Sequence, residues 1–168
     1  MTGTARRIRH RAGQFFGALR PRVGEQERAQ AYAYLNGAQR AVFETMMLRD
    51  QQHGIDVFRR VQAASPAEDA ALFTAALLHD CGKGRVRLWQ RVAFVLMGAV
   101  APPLLHCVAR EDGRAWRRAF WRLLHHPELG AGMVAGTGAD PDTVRMVREQ
   151  EAKQPDARLR LLQAADDA

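Results

Sequence analysis

The sequence predicts an all-α fold, and three observations predict it. Apolar residues recur at helical spacing, as Ile55, Phe58 and Val61 do. Helix start signals separate the periodic stretches: Asn36 with Gln39, Ser65-Pro66 with Glu68, Asp140-Pro141 and Pro155-Asp156. No segment alternates apolar and polar residues for long enough to make a strand.

The first helix is expected from about Glu25 to Leu35. Asn36 then caps a short helix reaching Met47, with Gln39 closing a capping box. A third helix is expected from about Asp50 to Ala64 and carries His53. Ser65-Pro66-Ala67-Glu68 reads as the start of a fourth, with Ser as cap, Pro in the first turn and Glu three residues on. That helix should end at His79-Asp80, and Gly82 suits the left-handed position that terminates helices. Leu88 to Val100 is largely apolar, Pro102-Pro103 breaks it, and a shorter helix follows to about Ala109. Glu111-Asp112-Gly113 is a turn. Ala115 to Leu124 is amphipathic; its Trp116, Phe120 and Trp121 stripe reads as core rather than as a platform for stacked bases. Pro127 to Ala135 is a short helix, Asp140 caps another to about Glu151, and the last should end near Ala168.

Residues 92–109 carry no formal charge and approach the length of a membrane span. The double proline and His106 argue against a span, and a single crossing would leave His79-Asp80 and His126 on opposite sides. A buried core hairpin is the expectation, with shallow membrane contact as its alternative.

The chain is long enough, at 168 residues, for one domain with a real core. Its net charge of +7 is unevenly spread. Residues 1–24 hold six arginines and no acid, whereas the other 19 basic residues nearly balance 18 acidic ones. Residues 1–24 are therefore read as a basic N-terminal extension and residues 25–168 as a single helical domain. With Phe15, Phe16 and Leu19 among its arginines, the stretch 6–22 suits an anionic membrane surface or nucleic acid. Cys81 and Cys107 are the only cysteines and form no metal-type cluster. Together with the arginines that interrupt any apolar signal core near Met1, they point to a reducing cytoplasm, with peripheral attachment to a membrane as an option.

The chemistry centres on His79-Asp80. Leu72, Ala76 and His79 share a helical face, so His79 is aimed into an apolar interior beside Asp80. Such a pair needs a partner to offset the cost of burial. A divalent cation is a natural one, because imidazole and carboxylate both bind metals. Lys83 stands nearby and could hold a phosphate as a point charge. His53, His126 (or its neighbour His125) and a late acid, Asp166 or Asp167, complete the candidates.

In that order, His53, His79-Asp80 and Asp166 resemble the His…His-Asp…Asp signature of the HD-domain superfamily of metal-dependent phosphohydrolases. His79-Asp80-Cys81-Gly82-Lys83 matches its extended His-Asp-x-Gly-Lys form. His126-Pro127-Glu128-Leu129-Gly130-Ala131 looks like the His-Pro-x-x-Gly-Ala segment of the HD-GYP and related branches. The resemblance covers about residues 50–168. It implies an HD-like helical bundle that hydrolyses a nucleotide or another phosphoester, with His53, His79, Asp80 and Asp166 as metal ligands. Asp80, Lys83 and His126 are the implied catalytic residues.

Two histidines and two carboxylates would leave positions open on a six-coordinate ion for water and a phosphate oxygen, and they suit Mn, Fe, Co, Ni or Zn alike. Lys83 would balance charge on the phosphoryl oxygens, and His126 would contact phosphate or transfer a proton. Two-metal relatives carry a His-His pair downstream of the His-Pro motif. This chain reads Arg148-Glu149-Gln150-Glu151 there, which implies one ion per chain unless Glu149 or Glu151 substitutes. No Gly-Tyr-Pro motif supports action on cyclic-di-GMP. The alternative is a signalling or binding module of the same fold with little or no turnover, associated with membrane or nucleic acid through its basic N-terminus.

Overall fold

A computed structural model describes residues 23–168, and among these every regular element is helical. The basic stretch 6–22, with Phe15, Phe16 and Leu19, lies outside the described residues. The helices are α1 (Glu25–Ala33), α2 (Gly37–Thr45), α3 (Leu48–Ala64), α4 (Ala70–Leu78), a single 3-10 turn (Cys81–Lys83), α5 (Leu88–Val100) and α6 (Pro102–Val108). They continue as α7 (Ala115–Leu124), α8 (His126–Ala135), α9 (Pro141–Arg148) and α10 (Ala157–Asp166).

The caps explain most of these boundaries. Asn36 and Gln39 form the expected reciprocal box, with bonds of 2.9 and 2.8 Å. Asp140 accepts from the Asp142 amide, and Asp156 from the Leu159 amide, each at 2.8 Å. The start expected at Ser65 is not used. The Ser65 hydroxyl donates instead to the Ala67 carbonyl at 2.6 Å, and its amide closes α3 on Val61 at 2.8 Å. The cap of α4 is Asp69, which accepts from the Leu72 amide at 3.0 Å and is itself held by Arg158 at 2.7 Å. A carboxylate at a helix N-terminus also gains from the helix dipole.

From Leu72 to Leu78 every residue of α4 is buried, so this helix runs through the middle of the molecule with α3, α9 and α10 packed around it. Phe58 of α3 meets Phe73 of α4 edge-on at 5.6 Å. The two helices cross closely at Gly54. A Cβ there would lie 2.8 Å from the Leu77 carbonyl oxygen. Glycine thus brings His53, its neighbour, towards His79, two residues beyond Leu77.

Residues 92–109 do form a helical hairpin, but it is not buried in the core. Phe94 and Met97 of α5 pack with Leu105 and Phe120 in a satellite cluster, while Val95, Leu96 and Val100 face solvent. The reason is geometric: α6 and α7 cover one side of α5 only. Of the aromatic stripe, Phe120 is buried in this smaller cluster, and the half-buried Trp116 packs edge-on against it at 5.6 Å. No helix among the described residues is long and apolar enough to cross a membrane.

Arg91 ties the hairpin to the body with two bonds to the buried Asp50 carboxylate, at 2.9 and 2.6 Å. Removing one partner of a buried pair leaves the other charge uncompensated. Asp50→Ala is therefore expected to lower the unfolding free energy by about 3 kcal/mol in urea titrations. An unchanged midpoint would show that the pair adds nothing.

Candidate metal centre

His79 follows the last residue of α4 and keeps helical backbone angles, so its ring stays inside and is 1% exposed. Its Nδ1 sits 2.8 Å from the Ala76 carbonyl. A carbonyl only accepts, so Nδ1 carries a proton and Nε2 is the atom turned to the site. That Nε2 is buried and has no hydrogen-bond partner among the described residues. His126, at the start of α8, repeats the arrangement: Nδ1 donates to the Leu123 carbonyl at 2.9 Å, and Nε2 faces Asp80 Oδ1 at 3.7 Å.

Asp80 is 2% exposed and surrounded by cationic or ionisable nitrogens. Its carboxylate lies 2.5 Å from Lys83 Nζ, 3.5 Å from His79 Nε2 and 3.9 Å from His53 Nε2. Burial opposes the charge on Asp80, but Lys83 and the three histidines outweigh it and hold its pKa well below the usual carboxylate range. Asp166, on α10, accepts from His53 at 2.7 Å and lies 3.5 Å from His79. Burial would raise its pKa, yet these two histidines also hold it far below the ordinary value. Burial opposes the charged form of His79 as well; Asp80 and Asp166 overcome that and raise its pKa to about 9. The carboxylates that retain this proton are the groups that would favour a cation in its place. His126 is shifted down, first by burial and then by the charge of Lys83. The Cys81 thiol is pushed up to about 12 by burial and by Asp80, which holds it in the thiol form at neutral pH.

Donor atoms of His53, His79 and Asp80 lie within 4.8 Å of one another, and this group can hold a metal ion. The donor set fits: bonds of about 2.0–2.2 Å to one ion require donors separated by roughly these distances. The orphaned His79 Nε2 fits for a second reason, since a coordinated ion would satisfy it. Of the two late acids, the structure brings Asp166 to the histidines. Of the adjacent histidines, His126 turns inward, whereas His125 is exposed and stacks on Trp121 with ring centroids 4.7 Å apart. Glu149 pairs with Arg145 at 3.2 Å; Glu151 approaches His126 only to 4.0 Å and is largely exposed.

Gly82 does not take the left-handed conformation expected of it. That role falls to Gly84, with φ 63°. Gly82 is required for space, because the His-Pro-x-x-Gly-Ala segment packs directly on it. A Cβ there would lie 2.0 Å from the His126 carbonyl oxygen and 2.6 Å from the Gly130 nitrogen.

Three supporting residues were not picked out from the sequence. Gln150 is buried and donates to the backbone carbonyls of His79 at 2.8 Å and Val147 at 3.0 Å, fixing the end of α4. Arg122 donates to the Gly82 carbonyl at 2.9 Å and so steadies the 3-10 turn. Gly54 sets the helix crossing. Only Gly54, beside a candidate ligand, left a local signal; Gln150 and Arg122 act on backbone atoms that no side-chain motif marks. No known family's model, curated protein or solved structure matches this chain.

Proposed function

We propose that this protein is a metal-dependent phosphohydrolase of the HD-domain kind, acting on a nucleotide or another phosphoester with one divalent ion per chain. One observation carries the proposal. The buried Nε2 of His79 has no hydrogen-bond partner among the described residues, and it is aimed at the carboxylates of Asp80 and Asp166 beside His53. These four residues would hold the ion, and they suit Mn, Fe, Co, Ni or Zn. A divalent cation, when bound, supplies Lewis acidity towards a phosphoryl oxygen and lowers the pKa of water.

The chain's own groups do the rest. His53 and Asp166 are partly exposed and leave the cluster open to substrate on their side. His126, with its pKa lowered, is neutral near pH 7 and can take or return a proton at Nε2. Lys83 stabilises the buried Asp80 and carries the positive charge closest to it. Its amine is the candidate to balance charge on the phosphoryl oxygens. Glu149 is occupied by Arg145 and Glu151 lies at the solvent, which favours a single ion.

The test is elemental analysis of the purified chain, followed by phosphate release from nucleotides and simple phosphoesters with each metal added. About one equivalent of metal is expected, with activity lost on chelation. Two tightly bound ions would refute the single-ion site. Bound metal without release from any substrate would mark a binding module, and neither metal nor release would overturn the proposal.

Lys83→Ala separates the amine from the ligands. It is expected to retain metal and to slow turnover by about a hundredfold, the usual loss for one such stabilising contact. A rate equal to the parent's would show that Lys83 only pairs with Asp80.

A further inference from the structure

Among the described residues, the lobe formed by α5, α6 and α7 leaves an apolar surface uncovered. On α5, Trp89, Leu96 and Val100 are 53, 57 and 80% exposed, and their spacing puts them on one stripe. Leu104, just past the Pro102-Pro103 bend, is exposed as well. From residue 92 to residue 109 the hairpin carries no formal charge, so its tip is apolar throughout. The base is different: Arg85 and Arg87 lead into α5, Arg110 and Arg114 follow α6, and all four are exposed.

This charge is not shared by the rest of the described chain. Residues 85–122 hold eight arginines and two acids, whereas the remainder of 25–168 holds 11 basic and 16 acidic residues. An uncharged tip above an arginine-rich base has two requirements: an apolar medium for the tip and anions level with the base.

We infer that this lobe docks the protein on an anionic lipid surface, with the α5–α6 tip among the upper acyl chains and the base arginines among the headgroups. An anionic bilayer interface offers both layers in that order. A second copy of the chain fits worse, because the lobe that would face this one carries eight arginines against two acids and so brings the base few anions. A nucleic-acid duplex would suit the arginines and leave the apolar tip without a partner. α5 has 13 residues and does not qualify as a span, so the tip rests in the interface and does not cross it. The inference is independent of the hydrolase proposal and of residues 1–22.

The probe is the full chain sedimented with vesicles of phosphatidylcholine alone or mixed with phosphatidylserine. Binding is expected to the mixed vesicles and to weaken with added salt. Leu96→Glu with Val100→Glu changes only exposed side chains and should leave the melting curve unchanged while lowering the partition coefficient by about a hundredfold. Brominated acyl chains should quench tryptophan emission in the parent, and Trp89→Phe should remove most of that quenching. Three results would overturn the inference: no binding to mixed vesicles, undiminished binding by the double variant, or a parent dimer that the double variant turns into monomers.

Discussion

Asp80→Ala is expected to leave the protein folded, without tightly bound metal and without phosphate release. Among the described residues, Asp80 is the one that approaches His53, His79, Lys83 and His126 alike, at 3.9, 3.5, 2.5 and 3.7 Å. Its removal takes a negative charge from the centre of four nitrogens and leaves Asp166, on the open side, as the remaining carboxylate donor among the proposed ligands. Loss of an outer-shell partner already lowers metal affinity about 10–100-fold, so loss of a ligand should exceed a hundredfold. Asp80→Asn keeps the shape without the charge and should behave the same way. Circular dichroism checks the fold, elemental analysis the metal, and phosphate release the activity. A variant that kept both metal and activity would make the hydrolase reading wrong.

Gly82→Ala should be the most damaging single methyl group that can be added near the site. The atoms it would strike, the carbonyl of His126 and the nitrogen of Gly130, belong to the backbone, and no rotamer change can move them aside. Either the N-terminal turn of α8 withdraws or the 3-10 turn shifts. Both separate His126 from Asp80. Overpacking of this kind costs about 3 kcal/mol or more, read as a fall in the urea midpoint. Gly132→Ala is the control. It lies on α8 itself, and a Cβ there meets nothing within 4 Å among the described residues. It should gain a few tenths to about 1 kcal/mol from helix propensity. Equal midpoints for the two variants would mean that α8 does not pack on the turn as described.

Much of the fold was legible in the sequence because helix ends are local events. Asn36, Asp140 and Asp156 announce their caps with their own side chains. Ser65 misled for a tertiary reason: Arg158, 89 positions from Asp69, helps fix the carboxylate that caps α4. Gly82 misled because glycine serves two purposes, permitting positive φ or permitting contact, and only the packed structure distinguishes them. The apolar run 92–109 predicts a buried hairpin, but hydrophobicity alone does not say which neighbours are present to cover it. At the site, His53, His79 and Asp80 could be named from residue type and order. Gln150 could not, because what it holds is the backbone carbonyl of His79, and main-chain acceptors look alike in every sequence.

The contact between His53 and Asp166 spans 113 positions of chain. An ion held by both would close a loop of that length. Closing such a loop in a disordered chain sacrifices about 4–5 kcal/mol of chain entropy. The folded protein has already met that requirement through the packing of α10 on α3. The same side chains would therefore grip an ion far more weakly once unfolded, and metal uptake should discriminate sharply between a finished fold and a chain still searching for one.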